Sequence, residues 1–296
     1  MRPALLIVGA VTRDVVVGQG VLPMSERAGG AASYAARAAT ALGVRAAILT
    51  IAAPDADLDA LAGHDVTVVR ADVTLTFEHT HGAAGARAMR VLERPRRALT
   101  WADLPTQWRA ADAFLLAPLL PDDIDVASFA RVDAPLRGLL AQGLQRRVGE
   151  GGAVHALDAP SPALLAALTP AVAAQTTVFL SAEETAAWSA AGRDALAARC
   201  ARVVLTQGAA GALVRAGGVT HTVPPAPALA VDATGAGDVF ATALILGLSA
   251  GDVAAERAAS MLAAAAVERY GPAPLPTRAE LEGSNTGTSE PEIGQS

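Results

Sequence analysis

The feature that most constrains the fold is an alternation of short apolar segments rich in Val, Ile and Leu with Ala-rich segments of helical character. Such alternation predicts strands joined by crossover helices, and therefore a mostly parallel sheet with helices on both faces. The predicted strands are Leu5–Val8, Ala46–Ile51, Ala113–Leu116, Val154–Leu157, Thr177–Leu180 and Val203–Thr206. The predicted helices are Ala31–Leu42, Pro162–Leu168, Ala182–Ala190, Val239–Leu248 and Val253–Tyr270. The chain is predicted to be a three-layer α/β protein.

One part of the sequence departs from this alternation. Val73–Thr80 and Ala86–Leu92 are strand-like and are separated by a turn that contains Gly82 and Gly85, which predicts a β-hairpin. Together with Val15–Val21, this hairpin is expected to form a small β lid, made of residues about 12–24 and 73–92.

The last residues differ in composition from the rest of the chain. Residues 283–296 are polar, rich in Gly and Ser and aperiodic, so we expect a disordered tail after a single domain of residues 1–282.

Several function classes are excluded by composition. All 23 basic residues are Arg, and without Lys the chain has neither a P-loop nor a Schiff-base amine. A lone cysteine, Cys200, excludes an internal disulfide and a Cys-based zinc site. The net charge of −6 argues against nucleic acid as a partner. The apolar run Ala4–Val11 is too short for a membrane helix and predicts a buried strand, so we expect a cytoplasmic protein.

The segment Val231–Phe240, which reads VDATGAGDVF, carries the chemistry. A β-rich segment precedes it and a helix follows, so the N–H groups of Gly235, Ala236 and Gly237 are expected to point outward from a helix N-terminus. Unpaired N–H groups and the helix dipole together form an anion hole. A carboxylate beside it, Asp238, is placed to accept a proton from a hydroxyl. The pattern therefore predicts phosphoryl transfer to a hydroxyl, with Asp238 as catalytic base.

The string DATGAGD resembles the signature of the ribokinase-like, or PfkB, carbohydrate kinase family, and the similarity covers roughly residues 4–282. The resemblance implies a ribokinase-like fold, ATP as phosphoryl donor and Mg²⁺ as cofactor. It also implies that Asp238 is the base and that Gly235, Ala236 and Gly237 form the anion hole. Asp232 and Thr234 would help to hold a monovalent cation such as K⁺ behind this hole, with Thr234 near the nucleotide.

Two further segments resemble family elements. Thr206, Gly208 and Gly211 match a T-x-G-x-x-G segment, which implies a nucleotide-binding role. Asp14 follows the first strand, and the pair Gly29–Gly30 opens the first helix. The resemblance implies that this second group binds the hydroxyl substrate.

The sequence also departs from the family pattern. Tyr34 stands where Asn is usual in the substrate half, and Ala53–Asp55 retains only the Asp of a second signature. Ser181 replaces the Asn of an N-x-x-E element, whereas Glu184 is retained. The resemblance implies that Glu184 orders Mg²⁺ through water. These departures concern the substrate side and the metal, so the reaction class is better defined than the acceptor.

Two candidates come from the predicted lid. Arg87 follows the hairpin turn, and we expect it to face the cleft and bind the substrate. His79 and His81 lie two residues apart on one face of a strand, but the sequence supplies no third ligand for a metal.

The leading interpretation is an ATP-dependent kinase for a small sugar or cyclic polyol, acting as a monomer or homodimer. The start GGAASY and the short lid resemble the myo-inositol kinase-like branch. A nucleoside kinase of the same fold is the alternative, although it would need an apolar or aromatic platform for the base. The alternative outside the enzymes is a non-catalytic regulatory protein of the same fold that binds a nucleotide or a sugar.

Overall fold

The computed structural model describes residues 2–17, 25–81 and 87–284. The strands are β1 Leu5–Gly9, β2 Thr12–Val17, β3 Ser25–Gly29, β4 Ala47–Ala52, β5 Asp65–Arg70, β6 Leu75–His81, β7 Arg87–Glu93, β8 Ala113–Ala117, β9 Leu136–Leu140, β10 Arg146–Val148, β11 Val154–Ala156, β12 Thr176–Ser181, β13 Arg202–Thr206, β14 Ala212–Ala216 and β15 Val219–Val223. The α-helices are α1 Ala31–Ala41, α2 Pro162–Ala167, α3 Pro170–Ala173, α4 Ala190–Ala197, α5 Ala236–Ser249, α6 Ala255–Val267 and α7 Arg278–Ser284.

A nine-stranded sheet forms the centre of the molecule, in the order β15-β14-β13-β12-β9-β8-β1-β4-β5. Every neighbouring pair from β13 to β5 is parallel, whereas β14 and β15 are antiparallel additions at one edge. Strands β1, β4 and β8 are buried along their whole length, as in parallel sheets that are covered on both faces. Helix α5 packs on β8, β9 and β12 and also contacts α1 and α6. The predicted α/β fold, a mostly parallel sheet flanked by helices, is confirmed.

One predicted strand lies outside the central sheet. Val154–Ala156 pairs antiparallel with β10 in a separate two-stranded sheet, and β9 is the strand that lies between β8 and β12 in the central sheet. Sequence reasoning missed β9 because Arg137 interrupts its apolar run. The Arg137 guanidinium is buried because it donates to the carbonyl oxygens of Val132, at 2.7 Å, and Phe129, at 2.8 Å.

The predicted helix Ala182–Ala190 is wrong, because this segment forms turns and helix α4 begins only at Ala190. Side chains in the turn bond the backbone and compete with a helix. Ser181 Oγ accepts from the Glu184 N–H at 3.1 Å, and Thr185 Oγ1 donates to the Ser181 carbonyl at 3.2 Å. Ser189 then caps α4 by accepting from the Gly192 N–H.

A second sheet, in the order β3-β2-β6-β7, contains the predicted hairpin β6–β7 and is called the lid sheet below. Strand β2 pairs parallel with β6 and antiparallel with β3, a strand that the sequence did not predict. Residues 18–24 and 82–86 of the predicted lid lie outside the described residues. The register places Asp14 on β2 opposite Arg27 on β3.

The C-terminal boundary differs slightly from the expected one. Helix α7 extends to Ser284, two residues into the predicted tail, and residues 285–296 lie outside the described residues. The assignment of residues 1–282 to one domain and the disorder of the tail stay predictions. Within the described ranges, no helix combines the length and apolarity needed to cross a membrane.

Candidate active site

Most candidate residues follow the carboxyl ends of central strands, where open α/β sheets bind their ligands. Ser181 ends β12 and pairs in register with Thr206, which ends β13. Asp14 lies five residues after β1, and Gln142 lies two residues after β9. The topology therefore brings segments that are far apart in sequence to one edge of the sheet.

The N-terminus of α5 presents open N–H groups. Gly235, the residue before the helix, has a φ of 77°, a left-handed conformation that glycine adopts without steric penalty. Among the described residues, no acceptor bonds the N–H groups of Gly235, Gly237 or Asp238, whereas the Ala236 N–H donates to the Ala233 carbonyl at 3.4 Å. A Cβ on Gly237 would meet no atom within 4 Å. This open, positively polarised turn suits an anion.

The carboxyl of Asp238 is 8% exposed and lies in the first turn of α5. Burial raises the pKa of Asp238 to about 7; the charge of Arg146 opposes this rise, and the charges of Glu184 and Asp14 add to it. Asp238 Oδ1 accepts from Gln142 Nε2 at 3.3 Å. A carboxyl that titrates near neutral pH is suited to general-base chemistry.

Gln142 and Arg146 were not predicted as site residues. Arg146 Nη2 donates to Gln142 Oε1 at 2.9 Å, and its Nη1 donates to the Leu119 carbonyl at 2.9 Å. Burial lowers the pKa of Arg146, and the charges of Glu184, Asp238 and Asp123 oppose that change. Gln142 follows β9, a strand that the sequence did not predict, so nothing in the sequence indicated that Gln142 lies at the carboxyl edge of the sheet.

Glu184 lies close enough to Asp238 to influence its pKa. Ser181 and Glu184 bond reciprocally, because the Ser181 N–H donates to Glu184 Oε2 at 2.8 Å and Ser181 Oγ accepts from the Glu184 N–H. Burial raises the pKa of Glu184, and the charge of Arg146 opposes the rise. Ser181 therefore fixes Glu184 beside the cleft in place of the usual Asn. Carboxylate oxygen atoms here fit a Mg²⁺ ion held through water.

The turn between β13 and β14 holds the remaining predicted nucleotide-binding residues. Thr206 Oγ1 donates to the Leu180 carbonyl at 3.3 Å, and the Thr206 carbonyl accepts from the Ala182 N–H at 2.8 Å. Gly208 and Gly211 both have positive φ, and a Cβ on Gly211 would lie 2.2 Å from the Val223 carbonyl oxygen. Gly211 is thus required by the turn itself.

The predicted acceptor residues surround Asp14, which is 3% exposed. Asp14 Oδ1 accepts from Thr12 Oγ1 at 2.8 Å, and its Oδ2 packs so closely on Gly29 that a Cβ there would lie 2.3 Å away. Gly30, with a φ of 90°, precedes helix α1. His79 Nε2 lies 3.7 Å from Asp14 Oδ1.

Tyr34 lies between Asp14, on the predicted substrate side, and the turn that precedes α5. Its ring lies so close to Gly235 that a Cβ there would be 2.2 Å from Tyr34 Cδ1. Burial raises the pKa of Tyr34 far above its ordinary value, as do the charges of Asp14, Asp232 and Asp238, so its hydroxyl stays protonated.

Three buried polar atoms near Asp14 have no hydrogen-bond partner among the described residues: Arg27 Nε, Tyr34 Oη and His79 Nε2. Leaving such atoms unpaired costs about 1–3 kcal/mol each, so a ligand that satisfied them would recover this energy. Sequence reasoning assigned Tyr34 to this site but not Arg27 or His79.

The backbone of Arg87 begins β7 opposite His81. No group of three metal-ligating side chains occurs in the described ranges.

The surroundings of Asp232 do not match the expected monovalent cation site. Asp232 Oδ2 accepts from Arg27 Nη1 at 2.5 Å and from the Gly271 N–H at 3.2 Å, and Oδ1 accepts from the Thr234 N–H at 3.0 Å. Arg27 Nη2 also donates to Thr234 Oγ1 at 3.3 Å. Arg27 thus bonds both of these side-chain oxygen atoms, the kind of ligand that a cation would require, and brings its own positive charge to the carboxylate.

Comparison with known proteins agrees with this geometry. The sequence pattern described as "pfkB family carbohydrate kinase" matches residues 15–278. No curated protein matches the chain. Similar solved structures include a pyrophosphate-dependent myo-inositol-1 kinase converted into a myo-inositol-3 kinase by mutation, 16% identical, with a TM-score of 0.75 and coverage of 96% of this chain and 98% of that one.

Two other similar structures are kinases named for different phosphoryl acceptors. Ribokinase of Arabidopsis thaliana, complexed with ribose and ATP, is 18% identical, with a TM-score of 0.68 and coverage of 96% of this chain and 98% of that one. Adenosine kinase of Sinorhizobium meliloti is 17% identical, with a TM-score of 0.74 and coverage of 98% and 100%. At these identities the likeness establishes the fold and leaves the acceptor open.

Proposed function

The chain belongs to the pfkB family of carbohydrate kinases, and from that premise we propose that it transfers the γ-phosphoryl group of ATP to a hydroxyl of a small sugar or cyclic polyol. The observation that carries this proposal is the position of Asp238. A carboxyl with a pKa near neutrality lies beside open N–H groups at a helix N-terminus. A base and an anion hole are the main requirements of phosphoryl transfer to an alcohol.

In the proposed reaction, the acceptor hydroxyl lies between Asp14 and Asp238. As its oxygen bonds to the γ-phosphorus, its proton passes to the Asp238 carboxylate, and the bond from that phosphorus to the bridging oxygen of ADP breaks. The N–H groups of Gly235 and Gly237 stabilise the charge that develops on the transferred group. Gln142, held by Arg146, orients the Asp238 carboxylate.

The donor side is proposed to include Thr234 and the turn from Thr206 to Gly211, with Gly208 at its open corner. Mg²⁺ bound with ATP supplies positive charge to the phosphate oxygens. Glu184, fixed by Ser181, would hold the water shell of that ion, because Mg²⁺ retains several of its waters in such sites.

The polar atoms around Asp14 support a polyhydroxy acceptor. Arg27 Nε is a donor, Tyr34 Oη donates or accepts, and His79 Nε2 takes either role according to its tautomer. Hydroxyls, which both donate and accept, can pair with all three and with the Asp14 carboxylate. Neighbouring hydroxyls on a compact ring meet this need. A myo-inositol-like acceptor belongs to this class. A nucleoside presents such hydroxyls on its ribose, but it would in addition need an apolar or aromatic platform for its base.

The direct test is a matrix of donors and acceptors. Purified protein with Mg²⁺ is incubated with ATP, ADP or pyrophosphate and with cyclic polyols, hexoses, pentoses or nucleosides, and phosphorylated acceptor is detected by mass spectrometry. We expect product with ATP and a sugar or cyclic polyol, and none without an acceptor. Product from nucleosides alone would establish the alternative kinase. Nucleotide binding without product from any pair would contradict a catalytic role and support a regulatory one.

The pH dependence of kcat/KM follows from Asp238. Its raised pKa means that the carboxyl is protonated, and unable to act as base, well into the mildly acidic range. We expect kcat/KM to rise with pH and to level off above an apparent pKa near 7. Initial rates in overlapping buffers measure this profile. A flat profile between about pH 5.5 and pH 8 would exclude Asp238 as the titrating base.

Substitution of Asp14 tests the acceptor side. Asp14→Asn keeps the shape but replaces one acceptor oxygen with a donor, so a substrate hydroxyl loses its partner. We expect kcat/KM for the acceptor to fall by about 5–150-fold, the equivalent of 1–3 kcal/mol, with ATP affinity unchanged. Acceptor and donor titrations measure the two effects separately. Unchanged acceptor kinetics would place the hydroxyl substrate elsewhere.

A further inference from the structure

The Arg27 side chain crosses from the lid sheet to the loop that precedes α5. It lies on β3, and its guanidinium bonds Asp232 and Thr234, 205 and 207 positions away in the chain. The two ends of the Arg27–Asp232 ion pair are 21% and 9% exposed, so the pair is largely removed from water. This contact links the acceptor side of the cleft to the open turn at Gly235.

The Asp232 carboxylate is fully engaged by donors. Its oxygen atoms accept from Arg27 Nη1 and from the N–H groups of Thr234 and Gly271. Burial alone would raise the pKa of Asp232, but hydrogen bonds from Thr234 and Gly271 and the charge of Arg27 outweigh it and lower the pKa. The carboxylate is therefore ionised and already neutralised by a neighbouring positive charge.

A second cation does not fit beside this pair. The guanidinium already bonds Asp232 Oδ2 and Thr234 Oγ1, the side-chain oxygen atoms that a cation would use. An added monovalent cation would also be repelled by the guanidinium in a partly buried environment. The position that the family resemblance assigns to K⁺ thus contains a covalently attached positive charge.

We propose that the Arg27 guanidinium replaces the monovalent cation, so that this kinase needs no K⁺ for activity. The proposal rests on the proposed function for its activity measurement. Besides its Nε atom, which is proposed to face the acceptor, Arg27 acts as a positioning residue through its Nη atoms. They hold Asp232 and Thr234, and through them the turn in which Gly235 adopts its left-handed conformation. Because the charge is covalently attached and an Arg side chain stays charged across the physiological pH range, its presence does not depend on which monovalent cation surrounds the protein.

The first test varies the cation with the wild-type protein. The kcat and the melting temperature are measured in K⁺, Na⁺ and tetramethylammonium salts at a constant ionic strength of about 0.1 M, because screening alone alters charge interactions. We expect all three salts to give the same kcat and the same melting temperature. A kcat that rises at least about fivefold in K⁺, the lower range of measured site–site coupling, would overturn the proposal.

The second test removes the charge. Arg27→Met keeps the length of the side chain but not its charge, whereas Arg27→Lys keeps the charge. We expect kcat to fall by at least about 10-fold in Arg27→Met, because the charge-assisted hydrogen bonds are lost, and clearly less in Arg27→Lys, which keeps the charge. K⁺ should restore part of the activity of Arg27→Met and raise its melting temperature. Equal loss in both variants would show that charge is not the cause, and full activity of Arg27→Met would overturn the proposal.

A matched control is available in a second ion pair. Arg45 Nη2 lies 2.5 Å from Asp65 Oδ1, the same distance as in the Arg27–Asp232 pair, but both side chains are more than half exposed. The pair lies at the amino ends of β4 and β5, away from the candidate site. Arg45→Met should leave kcat and its salt response unchanged. If no acceptor is phosphorylated at all, the melting temperatures of Arg27→Met and wild type in K⁺ still test the cation proposal, separately from the proposed function.

Discussion

Asp238→Asn should lower kcat by about 10²–10⁴-fold while ATP affinity stays close to that of the wild-type protein. The amide cannot accept the proton of the acceptor hydroxyl, whereas the N–H groups of Gly235 and Gly237 remain in place. Single-turnover rates give the chemical step, and calorimetric titration gives the ATP affinity. A kcat within about twofold of wild type would exclude Asp238 as the base, because general-base removal is far more costly.

The control for this variant is Asp252→Asn. Asp252 precedes helix α6, whereas Asp238 lies in the first turn of α5, and Asp252 Oδ1 accepts from the Ala254 N–H at 2.8 Å. Asn retains this hydrogen bond but loses the charge that pairs with Arg278, 2.7 Å away, so activity should be unchanged and stability should fall only slightly. A loss of activity in Asp238→Asn but not in Asp252→Asn would therefore report on chemistry.

Asp238→Asn should also stabilise the folded protein at neutral pH. The pKa of Asp238 is raised to about 7 from the ordinary value of 3.8, so the native state binds the proton that the unfolded state releases over that interval. Wild-type stability therefore falls as the pH rises from about 4 to about 7, by about 1.4 kcal/mol for each unit of raised pKa. Asn does not titrate, so the melting temperature of Asp238→Asn should exceed that of wild type at pH 8.

The second large effect is expected at Gly235. Gly235→Ala should destabilise the folded protein by about 2–5 kcal/mol, because a left-handed alanine costs about 1–2 kcal/mol and forced overpacking typically adds about 1–3. The added Cβ would lie 2.2–2.4 Å from three atoms of the Tyr34 ring. Chemical denaturation measures the loss of stability, and kcat should fall with it because the open turn is displaced.

Gly251 provides the matched control, since its φ is +68° and a Cβ there would meet no atom within 4 Å. Gly251→Ala should show only the conformational cost of about 1–2 kcal/mol. A double-mutant cycle of Gly235→Ala with Tyr34→Ala isolates the steric part, and we expect a coupling of about 0.5–3 kcal/mol. Equal costs at Gly235 and Gly251, or no coupling, would contradict close packing of Tyr34 on the turn.

The fold and the glycine-rich turn before α5 were predictable because their signals are local. Apolar runs and helical periodicity identified β1, β4, β8, β12 and β13, and the string DATGAGD identified the start of α5. Strand β9 was missed because the bonding of Arg137 to carbonyl oxygens is not visible in a hydrophobicity pattern. The turn after Ser181 was mistaken for a helix because its side-chain hydrogen bonds leave no mark in the composition.

The missed site residues share a different cause. Gln142 meets Asp238 across 96 positions of sequence, and Arg27 meets Asp232 across 205. Neither belongs to a motif, so only the assembled sheet brings them into contact. Asp232 was predicted to hold a monovalent cation beside the turn, and the guanidinium that bonds it changes this expectation.

The separation between Arg27 and Asp232 has a consequence for how the chain acquires its native structure during synthesis. The lid-sheet strand that contains Arg27 leaves the ribosome long before its partner carboxylate is made. Contacts of such long range are slow to form, because loop closure must precede the stabilisation that they bring. The turn at Gly235 and its arginine tether therefore come together only after most of the parallel sheet exists. A nascent chain that ends before residue 232 contains Asp14 and Tyr34 but lacks Asp238, and under the proposed function it would be unable to consume ATP.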